Sequence, residues 1–191
     1  MTLPASIIAN PRVNLNHHLI HEGNFFSTHT ISRGLPIANP KRFMFVSPHE
    51  IPPPFTPETT KVHLIFVISC DLGVKIEFFE DTIVTANGAV VPIINQNRLS
   101  TTQPLGQVFE NPTVFSEGTL IFSQIVGSTT TGGTGGMVDR DEQELILKVS
   151  TEYLLKITPL IDVPGGTNIT THFKGYDARP SSPVAIPLPG F

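Results

Sequence analysis

The residues best equipped for chemistry lie near the start of the sequence, in the run His17-His18-Leu19-Ile20-His21-Glu22. Imidazole and carboxylate donors this close together can ligate zinc and, in a suitable pocket, iron or manganese. If the run is a strand, His17 and His21 share one face while Glu22 points to the other. A single-metal site then needs a bend and a distant ligand such as His29, His63 or His172. Polar side chains solvated at a strand start are the plainer reading. His17, His21 and Glu22 therefore stand as weak metal candidates, and no cofactor is expected.

Other chemical patterns are incomplete. Gly127 and Gly132 have the spacing of the glycines in a phosphate-binding loop, but Gly133 stands where the lysine should be, and no basic side chain follows before Arg140. With no apolar anchor between Gly127 and Gly136, the segment reads as a mobile surface loop. Asp139-Arg140-Asp141-Glu142 lacks the glycine and the terminal glutamate of a calcium loop and reads as a hydrated turn. No serine sits in a Gly-x-Ser-x-Gly elbow. Cys70, the single cysteine, ends an apolar run from Leu64 and is expected to be buried and inert. Glu77 and Glu80 fall on opposite faces of one strand, which does not suit paired-carboxylate catalysis. Asn168-Ile169-Thr170 matches a glycosylation sequon, but no secretory signal accompanies it. No catalytic residue is assigned, and the chain is expected not to be an enzyme.

Composition narrows the partners. A formal net charge of −4 supplies no basic field for a polyanion, so nucleic acid is not expected. With 13 Phe, 2 Tyr and no Trp, the aromatics suit packing between sheets better than stacking against bases or sugars. No apolar stretch approaches the roughly 18–20 residues that span a bilayer, and no membrane partner is expected. The 18 prolines and 15 glycines favour short strands and turns.

Strands should start around Phe25-Phe26, at Lys41 to Val46, and at Lys61 to Ser69, the last apolar on both faces and so central to a sheet. Asp71-Leu72-Gly73 is expected to turn that strand into a hairpin with Val74 to Glu80. Asn87-Gly88 should form a second hairpin between Thr82–Thr85 and Ala89–Ile93. Further strands fall at Thr119–Val126, at Gln143–Val149 followed by a turn and Tyr153–Thr158, and at Asn168–Tyr176. Short strands at this spacing describe an all-β antiparallel sandwich or barrel. Residues 1–16 and 177–191 read as extended arms around one domain at 17–176, the second arm carrying four prolines at 180, 183, 187 and 189.

Several segments stand in order along the chain: Ile20-His21-Glu22-Gly23-Asn24-Phe25-Phe26, Val74-Lys75-Ile76-Glu77-Phe78-Phe79-Glu80, and Val91-Pro92-Ile93-Ile94-Asn95-Gln96-Asn97-Arg98-Leu99-Ser100. Glu117-Gly118-Thr119-Leu120-Ile121, Glu144-Leu145-Ile146-Leu147-Lys148, Tyr153 to Thr158 and Asn168 to Phe173 complete the series. In this order they resemble the capsid decoration, or cement, proteins of tailed bacteriophages, and the connection from Val91 to Ser100 is the most specific piece. Leu145 replaces an aromatic of the family pattern, and both arms lie outside the resemblance. The resemblance implies a β-sandwich or jelly roll that sits on the outer surface of an assembled shell, as part of the virion, after synthesis in the host cytoplasm. It further implies a structural protein without catalysis, contacting the major capsid protein lattice as a homotrimer.

The arms fit that expectation, since proline-studded segments with isolated hydrophobes recover their ordering entropy only against a neighbour. Arm exchange between subunits is the expected mechanism, repeated over a lattice for avidity. Contact candidates are Leu15, Ile20, Phe25, Phe26, Asn95, Asn97, Arg98, Ile186, Leu188 and Phe191. A tail, baseplate or fibre component is the nearest alternative. A carbohydrate-binding module or a cupin-like metal enzyme represents other classes.

Overall fold

The computed structural model describes residues 19–48, 61–130, 134–139 and 144–178. Alternating apolar and β-branched runs form fourteen strands: β1 (Phe25–Leu35), β2 (Lys41–Val46), β3 (Lys61–Cys70), β4 (Val74–Glu80), β5 (Ile83–Ala86), β6 (Ala89–Val91), β7 (Ile94–Asn95), β8 (Gln107–Glu110), β9 (Thr113–Ser116), β10 (Thr119–Val126), β11 (Gly136–Asp139), β12 (Leu145–Leu147), β13 (Glu152–Pro159) and β14 (Thr167–Ala178). All pairings among the described residues are antiparallel.

The first sheet has the order β11-β3-β14-β1-β7, with β12 also on the outer edge of β3. The second has the order β10-β4-β13-β2-β8-β6. Along the chain, β1, β2, β3 and β4 alternate between the sheets, β10 returns beside β4, and β11 with β12, β13 and β14 alternate again. Two four-stranded sheets with this winding, β1-β14-β3-β11/β12 and β2-β13-β4-β10, are a jelly roll. The expected all-β sandwich is therefore what the chain forms, and β3 is central as its two apolar faces require.

The core fills the space between the sheets. Phe43, Phe66, Phe78, Leu155 and Ile157 are fully buried. Phe173 meets Phe43 and Phe45 edge-on, with ring centroids 4.9 Å apart in both pairs. Tyr153 stacks on Phe78 at 5.6 Å. Each such side chain contributes about 1.5–3 kcal/mol of burial free energy.

Local strand pairing differs from expectation. The turn after β3 leads β4 into the opposite sheet, so β3 and β4 form no hairpin; β3 pairs with β14 instead. The turn near Ser150 likewise separates β12 and β13 into different sheets. A strand buried on both sides is satisfied by a partner distant in sequence, and a tight turn can as well cross between layers as close a hairpin. β14 also extends two residues past Tyr176.

Asn87-Gly88 does not close a hairpin either. β5 pairs with β9 and β6 with β8, while β4 pairs with β10. Residues from β4 to β6 and from β8 to β10 thus form one long, twice-bent hairpin that leaves the second sheet beside β13 and rejoins it beside β2. In doing so it arches over the outer face of that sheet. This explains why Phe79, Leu154, Met44 and Phe109, a cross-strand row pointing away from the core, are all buried. The arch is pinned by Thr82 N donating to Glu152 O, by Asn111 N donating to Arg42 O, and by Lys156 Nζ 2.7 Å from Glu117 Oε1. Its first corner needs Gly118, whose φ is +83° and where a Cβ would lie 2.2 Å from Glu80 O.

The glycine-rich loop also does more than link, although residues 131–133 lie outside the described residues. A Cβ on Gly136 would stand 2.4 Å from Gly127 N, so its bare backbone lets the two ends of the loop meet.

Candidate interaction surface

The entry to β1 is a helical turn at residues 19–21, not a strand. The geometry that would have set His17 and His21 on one strand face is therefore absent; His17 itself lies outside the described residues. A turn forms because Gly23 N and Asn24 N bond back to Ile20 O and Leu19 O. His21 and Glu22 are exposed. His29 faces His172 across β1 and β14, while His63 is buried elsewhere, stacked on Tyr176 at 4.1 Å. His63 Nδ1 lies 3.0 Å from Glu144 Oε1 but off the direction of a hydrogen bond. Among the described residues no three His, Cys, Asp or Glu side chains gather as a metal site.

Cys70 is buried, with Sγ 3.4 Å from Gly136 O, and burial pushes its thiol up in pKa. Such a thiol is a poor nucleophile at neutral pH. An apolar cavity opens between the sheets at one end, lined by Phe26, Phe45, Val62, Leu64, Val108 and Phe173 among others. Asp177 at its wall already accepts a bond from Leu105 N at 3.0 Å.

Of the contact candidates, Leu15, Ile186, Leu188 and Phe191 lie outside the described residues. Phe25 and Phe26 are buried, and Ile20 packs half-buried with Leu19, Phe25 and Tyr176. These rings face their own chain, not solvent. Asn95 and Asn97 are likewise turned inward. Asn95 Nδ2 donates to Gly23 O and Thr102 O, and its Oδ1 accepts from Asn97 N. Asn97 Nδ2 donates to His21 O while its Oδ1 accepts from Leu99 N. Gln96 N adds a bond to Phe25 O. Asparagine suits this loop because one amide both donates to distant carbonyls and accepts from the backbone two residues on.

The consequence is a rigid loop with an exposed tip. Arg98 is exposed, and Leu99 is 95% exposed. Leu99 was not among the contact candidates, although its place beside Arg98 is visible in the sequence. Leu120, Ile121 and Ile125 on β10 and Ile83 and Phe115 on the arch are all exposed. The signal was an uncharged strand, Thr119 to Val126, at the edge of a sheet.

No protein-family model matches the chain, and no curated protein matches it either.

Proposed function

We propose that this chain is a non-catalytic structural protein of a tailed-phage particle, bound to the outer surface of the capsid. The observation that carries the reading is the loop from Asn95 to Ser100. It is the most specific segment of the resemblance to decoration proteins, and its asparagines hold Arg98 and Leu99 outward on a fixed frame. A preorganised tip loses little entropy on docking, and an exposed leucine beside a cation fits an apolar notch flanked by acidic groups on the shell. The terminal arms add contacts with neighbouring subunits, in a trimer that assembles only on the shell.

The test is occupancy on isolated particles of the phage that encodes the chain. Leu99→Asp should leave the melting temperature unchanged and lower occupancy on the order of tenfold. Deleting residues 1–16 or 180–191 should preserve the fold and also lower occupancy. Full occupancy by all three variants would contradict the reading.

A further inference from the structure

We infer that β10 is an association edge through which two copies of this chain pair, antiparallel and about a twofold axis, joining their second sheets into one. Each of the other sheet edges among the described strands is short. β6 has three residues and β7 two, and the open side of β3 is covered by β11 and β12. β10 has eight, pairs among the described residues only with β4, and is buried only at Val126. Long edges are ordinarily guarded by charges or proline because their free N–H and C=O groups template further strands. Thr119 to Val126 contains neither.

The pattern of side chains selects a second copy as the occupant. With no charge on the strand, two copies meet without repulsion. The register shift between Leu120 and Phe122 places Leu120, opposite Phe79, on the same outer face as Ile125, opposite Lys75. Antiparallel pairing brings like faces together, so Leu120 and Ile125 of one copy join those of the other in a single apolar row. These residues are 49% and 57% exposed in the lone chain. An isologous contact uses the same edge on both partners and leaves neither β10 open, which closes the contact instead of propagating it. The chain's own 179–191 segment is a poor occupant, because prolines at 180, 183, 187 and 189 remove donors a ladder needs.

The test uses the full purified chain and light scattering at concentrations up to about 100 μM. The expected mass is an even multiple of the protomer, and Ile125→Lys should halve it, with a dissociation constant raised on the order of 100-fold. Leu120→Lys should act alike, while Met137→Lys, on exposed β11, should leave the mass unchanged. Thermal melts confirm that each variant is folded. A protomer or odd-multiple mass, or an even mass that both β10 variants leave intact, would overturn the inference. No shell enters this experiment, so its failure is distinct from failure of capsid binding.

Discussion

Tyr153 and Tyr176 are the only tyrosines of the chain, and both are buried. Burial, reinforced by Glu80, pushes Tyr153 up to about 12, and burial with a hydrogen bond to Glu144 pushes Tyr176 up as well. A phenol whose folded pKa is raised stabilises the fold fully below its unfolded value near 10, and that contribution is lost as pH rises toward the folded value. Absorbance at 295 nm should therefore show almost no phenolate at pH 10 in the native protein, then its appearance together with unfolding near pH 12. Half-ionisation of both tyrosines at pH 10 with the fold intact would contradict this. The Tyr153 hydroxyl also bridges Lys148 N, at 2.8 Å, and Glu80 Oε2, at 3.2 Å. Tyr153→Phe should cost about 1–3 kcal/mol in chemical denaturation, since it leaves the backbone donor without its acceptor. Residue types alone foretold a buried Cys70, but not the ion pairs of Glu77 with Lys75 and of Glu80 with Lys148. They did not foretell the inward asparagines of the 95–100 loop, because nothing in an Asn-x-Asn spacing says whether its amides meet solvent or a distant carbonyl.

At the scale of elements, strand positions were legible and strand partners were not. Thr119–Val126 and Lys41–Val46 were expected where β10 and β2 occur, since period-two alternation depends on each strand alone. β8 and β9 escaped notice, being four residues each and lying between polar turns. Both expected hairpins failed for a common reason. Turn residues such as Asp71-Leu72-Gly73 and Asn87-Gly88 permit a reversal, but which layer receives the next strand is decided by burial of both sheet faces. The arch over the second sheet makes this concrete, since Met44 and Leu154 are covered by residues far along the chain. Its corner at Gly118 gives a prediction. Gly118→Ala forces a side chain into left-handed backbone and against Glu80 O, and should destabilise by about 2 kcal/mol or more, read as a lowered urea midpoint with unchanged slope. An unchanged midpoint would show that the corner can relax.

At the scale of the molecule, the all-β class followed from scarce charge, abundant proline and glycine, and short alternating runs. The jelly-roll winding required the structure, because it is a statement about non-local pairing. Function is less legible still, since a jelly roll hosts many unrelated roles, and the proposals made for this chain rest on single exposed side chains such as Leu99 and an unguarded edge such as β10. The Arg98–Leu99 tip and the β10 edge belong to different parts of the fold, so shell binding and self-association should be separable by mutation. The most direct test of the proposed capsid-surface role is immunogold labelling of intact tailed-phage particles from a lysate that contains this chain, imaged by negative stain. Dense label over the head surface is the predicted result; label confined to the tail, or none on particles at all, would contradict a capsid-surface role.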